Sequence, residues 1–79
     1  MNVYLCKVLK WFGGYDEFTV SAKNRDVALK KGCIFVRQSR SFSGDRHNLN
    51  EVRVVKKIPL RKQGTLNIPH CEEVIGWHF

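Results

Sequence analysis

The chain has 79 residues, 43% of them hydrophobic and 27% charged, which is the balance of a folded domain and excludes a disordered tail. A chain of this size buries only about 60% of the surface its unfolded form exposes, so it needs a compact core and has no room for a large enclosed active site. Fourteen lysines and arginines oppose seven acids, and the net charge of +7 attracts polyanions or acidic protein surfaces, although excess lysine also keeps a small domain soluble.

Asn2 to Trp11 reads as a first strand with apolar residues on both parities, Val3, Leu5 and Leu9 on one and Tyr4, Cys6 and Val8 on the other. That pattern leaves its register open. It points to a strand that is central in its sheet or covered on both faces, by the C-terminal segment or by a partner. Gly13 and Gly14, followed by Tyr15 and Asp16, are turn chemistry for a hairpin. Phe18, Val20 and Ala22 then alternate with Thr19, Ser21 and Lys23, the period of a second strand with one face buried.

Asn24 is placed to cap a helix and Asp26 suits the positive end of its dipole. At 100° per residue Ala28, Leu29, Gly32, Phe35 and Val36 share one face, and Asp26, Lys30 and Arg37 the opposite one. Gly32 costs about 1 kcal/mol relative to alanine in a helix interior. The favoured reading is that it lets helix and sheet approach closely; the rival ends the helix at Lys31 and makes Cys33 to Arg37 a short strand.

Ser39 to Asn48 has loop composition, broken only by Phe42, and is expected to be mobile. Glu51 to Ile58 predicts a third strand, with Val52, Val54 and Ile58 on one face and Arg53, Val55 and Lys57 on the other. Pro59 ends or edges it. Arg61 to Gly64 reads as a turn, Thr65 to Ile68 as a short strand stopped by Pro69, and His70 to Phe79 as an arm whose Val74, Ile75, Trp77 and Phe79 need cover, as part of the core or as an interface. The expected fold is α+β: an antiparallel sheet of three or four strands with one helix across one face, in ββαβ order. Residues 1–60 form the core domain and 61–79 the arm packed on it. Thr19, Lys23, Arg53 and Lys57 then share the open face of the sheet, joined in one register by Lys7.

The longest apolar run, Cys33 to Val36, falls far short of the roughly 20 residues of a membrane span, and a cytoplasmic protein is expected. Cys6, Cys33 and Cys71 are odd in number and lack CxxC spacing, which predicts reduced, mostly buried thiols. His47, His70, His78 and Cys71 invite a metal site, but adjacent His70 and Cys71 do not easily reach one ion, so neither metal nor cofactor is expected. No Cys or Ser sits beside an oriented base, and there is no Walker loop or dinucleotide fingerprint. A non-catalytic protein is expected.

The more specific feature is a run of cations. Lys30, Arg37, Arg40, Phe42, Arg46 and His47 lead from the helix into the loop, and Arg53, Lys56, Lys57, Arg61 and Lys62 follow on and after the third strand. Such residues can track phosphates, with Phe42 stacking on a base. The aromatic motifs of an RRM, the GxxG of a KH domain and a helix-turn-helix recognition helix are missing, which disfavours sequence-specific reading.

The pattern Glu17-Phe-Thr-Val-Ser-Ala, Asp26-Val-Ala-Leu and Val52-Arg-Val-Val-Lys-Lys resembles the small strand-strand-helix-strand proteins that bacteriophages encode, among them an RNA-polymerase inhibitor and some anti-CRISPR proteins. The likeness spans roughly Asn2 to Ile58, lies mostly at core positions and transfers no inhibitor residue. It implies a stoichiometric binder, monomeric or a small homo-oligomer, that occupies a functional surface of a host nucleic-acid machine. The alternative is direct, largely sequence-independent binding of RNA or DNA by the same cations.

Overall fold

The alternation around Phe18 becomes β2 (Tyr15–Ala22), which pairs antiparallel with β1 (Asn2–Lys10) through the Gly13-Gly14 turn. Both glycines have positive φ, 106° and 76°, the region that side chains resist. The computed structural model describes residues 2–59 and 68–71. Within them α1 (Arg25–Gln38), β3 (His47–Lys57) and β4 (His70–Cys71) complete an α+β fold whose sheet has the order β3-β1-β2-β4. The doubly apolar β1 is indeed central. The sheet is mixed, however, because β4 runs parallel to β2, where an all-antiparallel sheet is expected from the sequence. The expected turn at Arg61 to Gly64, most of the Thr65 to Ile68 strand, and the arm beyond Cys71 lie outside the described residues. No helix among those described is long and apolar enough to cross a membrane.

Asn24 caps α1 as its chemistry suggests, its side-chain oxygen accepting from the Val27 N–H at 3.0 Å. The helix runs unbroken through Gly32, so the rival strand at Cys33 is not formed. A Cβ at Gly32 would lie 3.2 Å and 3.3 Å from Cζ and Cε2 of Phe18 and 3.4 Å from Cγ1 of Val52; the missing side chain is what lets the helix settle on the sheet. Ala28, Gly32 and Val36 are buried there against Cys6, Val8, Phe18 and Val54. Leu29, expected on the same face, is 39% exposed, because it sits over the edge of the sheet beside β3.

The segment before β3 departs most from its composition. Phe42 is only 6% exposed, and its ring lies 5.4 Å from Phe18, 5.9 Å from Phe35 and 5.2 Å from His47. His47, 2% exposed, begins β3 four residues earlier than expected; Ser43 N–H donates to its Nδ1, which sets the hydrogen on Nε2, and Nε2 donates to Asp16 at 2.6 Å. A stretch that reads as mobile loop is thus tied to β2 and to the core. Replacing His47 with alanine strips the Asp16 and Ser43 groups of their shared partner and opens a gap beside Phe42. The expected loss is about 1–3 kcal/mol, read from a urea titration as a lower midpoint.

The ladder between β1 and β3 breaks twice. Leu5 faces Lys56 whereas Cys6 faces Val54, so Val55 is the extra residue of a bulge; a second break separates Val8–Val52 from Leu9–Asn48. A bulge reverses which side chains face which side. Lys56 therefore joins Lys7 and Arg53 on the side away from the helix, while Lys57 faces Tyr4, a residue of the helix side. The expected open face keeps Lys7 and Arg53, loses Lys57 to Lys56, and loses Lys23, which follows the end of β2. Thr19 belongs to it by register but is buried, its hydroxyl 2.6 Å from Nδ1 of His70.

Candidate docking surface

Arg53, Lys56 and Lys57 are exposed on β3, the outermost strand on its side of the sheet. Two helix arginines flank that strand. The Arg25 guanidinium donates to the Val54 carbonyl at 2.7 Å, and that of Arg37 donates to Oδ1 of Asn50 at 2.7 Å. Between helix and strand lies a groove of about 270 Å³ lined by Arg25, Asp26, Leu29, Val52, Arg53 and Val54. Arg25, Asp26 and Arg53 edge a small apolar floor of Leu29, Val52 and Val54, and Lys56 and Lys57 stand further along the strand, on opposite sides of the sheet.

The remaining cations of the sequence reading divide. Lys30 is exposed on the helix, and Arg40 and Arg46 are exposed on the segment before β3. Arg46 lies at the far end of the strand, its carbonyl accepting from Trp11 N–H at 3.0 Å. Lys56 pairs with Leu5 and His47 with Lys10, a separation of about 17 Å along β1 at the usual rise per residue. Lys56 and Arg46 are therefore not one patch. Phe42, expected to stack on a base, has its ring enclosed by Phe18, Phe35 and His47 and is a core residue. Arg61 and Lys62 lie outside the described residues.

The thiols stand apart from this surface. Cys6 is fully buried and burial pushes its pKa up to about 12, with Cys33 and Cys71 adding to the rise; burial also raises Cys33 and Cys71. A thiol held protonated is a poor nucleophile and a poor ligand. His70 and Cys71, neighbours in β4, point to opposite sides of the sheet: His70 meets Thr19 and Ser21, whereas Cys71 joins the core under α1. Strand alternation alone thus keeps this pair from sharing an ion or forming a thiol–imidazole couple. No group of three or more potential metal ligands occurs among the described residues.

One surface feature escaped the sequence reading. Phe12 is 94% and Trp11 56% exposed at the tip of the β1–β2 hairpin. The signal was there in two aromatic residues directly before Gly13-Gly14, in a turn where polar residues are the rule.

No protein-family model matches the chain, and no curated protein or solved structure shows significant similarity to it.

Proposed function

We propose that the chain is a small basic binding protein without catalytic activity, of the kind bacteriophages use in host takeover, which docks on a host nucleic-acid-handling protein or nucleoprotein complex and inhibits or modulates it. The observation that carries this reading is the row of exposed cations on β3, Arg53, Lys56 and Lys57, with Arg53 and Arg25 edging the groove. The two breaks in the β1–β3 ladder leave little regular edge to template an added strand. Contact is therefore made by side chains, and the complementary surface is acidic.

Direct binding of RNA or DNA uses the same cations and is the second reading, favoured by the net charge of +7. A pull-down from a bacterial lysate, with and without nuclease and at two salt concentrations, separates the two. A discrete protein that survives nuclease supports docking. Loss of everything retained on nuclease treatment, with elution at moderate salt, replaces docking by nucleic-acid binding. The Arg53→Ala, Lys56→Ala, Lys57→Ala triple variant is expected to keep the wild-type urea midpoint, since all three side chains are exposed. Its association rate with the captured protein should fall by about tenfold or more at low salt, where steering by charge is strongest.

A further inference from the structure

The hairpin tip is apolar, exposed and held in place. Lys10 N–H donates to the Gly14 carbonyl at 3.0 Å and Gly13 N–H to the Lys10 carbonyl at 3.1 Å, closing the turn. Trp11 is fastened from the side: its backbone N–H donates to Arg46 and its indole Nε1–H to the Gly44 carbonyl at 2.8 Å. With the indole N–H satisfied inside the chain, Trp11 offers only apolar ring surface outward, and Phe12 stands beside it. The fixed Trp11 loses little conformational freedom on binding, which is the property of an interface anchor, and the Phe12 ring, 94% exposed, is presented beside it by the closed turn.

The charges around the tip decide what it meets. Lys7, Lys10 and Arg46 are matched there one for one by Asp16, Glu17 and Asp45; Lys7 faces Glu17 across the ladder, and Lys10 lies 3.9 Å from Asp16. Elsewhere among the described residues only Asp26 and Glu51 are acidic, so the cationic excess lies away from the tip. A stacking site for single-stranded nucleic acid needs cations along its aromatics, and this tip is locally neutral. A second copy of the chain carries the same +7, which opposes self-association at low salt.

The geometry points to Phe12, backed by Trp11, as an apolar anchor that enters a hydrophobic pocket on a partner protein, a contact separate from the exposed cations of β3. The inference rests on the docking function proposed above and adds a second point of attachment to it.

Its test is a photocrosslinking competition with the full chain. Phe12→p-benzoylphenylalanine is irradiated in nuclease-treated bacterial lysate, alone and with unlabelled wild type or Phe12→Ser as competitor. One protein adduct is expected, displaced by excess wild type but needing at least tenfold more Phe12→Ser. Phe12 supports nothing in the fold, so Phe12→Ser should match wild type in urea unfolding. An adduct with a second copy, one seen only without nuclease, or equal displacement by both competitors overturns the anchor. If wild type retains a nuclease-resistant protein but position 12 forms no adduct with it, the anchor falls and the docking function stands. If wild type retains no protein, both fall.

Discussion

Replacing Phe18 with alanine is expected to cost about 3–5 kcal/mol, in a chain whose total stability, at usual per-residue values, is about 4–12 kcal/mol. Phe18 is fully buried, its ring centroid 5.1 Å from Phe35 and 5.4 Å from Phe42, and its edge fills the space under Gly32. Removing it opens a cavity that three elements share. Weakened aromatic near-ultraviolet dichroism and a urea midpoint lowered by roughly a quarter or more would be the readout. A Leu29→Ala control should cost under about 1 kcal/mol, because that side chain is substantially exposed. A Phe18→Ala variant with near wild-type stability would mean that the three rings do not form the core. The same contact predicts a coupling: Gly32→Ala gains helix propensity but crowds Phe18, so its net effect is small or unfavourable in the wild type. In a Phe18→Leu background the crowding is relieved, and the same change should stabilise by up to about 1 kcal/mol.

The second large effect is alkaline. Cys6 titrates near 9.0 in the unfolded chain and near 12 in the folded one, so the unfolded state loses its proton first. Its contribution is whole below pH 9 and is lost as pH rises toward 12, at a slope of roughly 1 kcal/mol per pH unit. Cys33 and Cys71 shift in the same direction and steepen the fall. Lysines and tyrosines titrate in this range too, so the measurement is a difference: urea stability of wild type minus Cys6→Ala, from pH 7.5 to 11.5. The difference should favour wild type and hold steady up to about pH 9, then shrink. A difference independent of pH would show that burial of this thiol does not set its titration.

How much of this could be read from the chain depended on how local the cause was. The β2 strand, the Asn24 cap and the need for a close approach at Gly32 are properties of a few adjacent residues, and each appears in the fold as expected, except that Thr19 on the expected wet face of β2 is buried. The bulge at Val55 is different. It arises from how β3 must meet β1, and a single inserted residue was enough to exchange Lys56 for Lys57 on the open face. Phe42 and His47 sit in a run of loop-forming residues, and only the rings of Phe18 and Phe35, distant in sequence, identify them as core. The pairing of β4 with β2 likewise has no signature in the two residues that make it. Of the candidate surface, the cations were legible as composition and the hairpin tip as two aromatics beside Gly13-Gly14, whereas the groove needed the third dimension.

The central position of β1 also fixes an order of assembly. During synthesis β1 and β2 emerge together and can close their hairpin at once, but the other edge of β1 waits for β3, which lies beyond all of α1 and the segment after it. At translation speeds of about 5–20 residues per second that interval lasts roughly a few seconds. Throughout it the nascent chain presents an unpaired edge on its most apolar strand. Fragments that stop before His47 would keep that edge permanently, and should collect in inclusion bodies while the full chain stays in the supernatant.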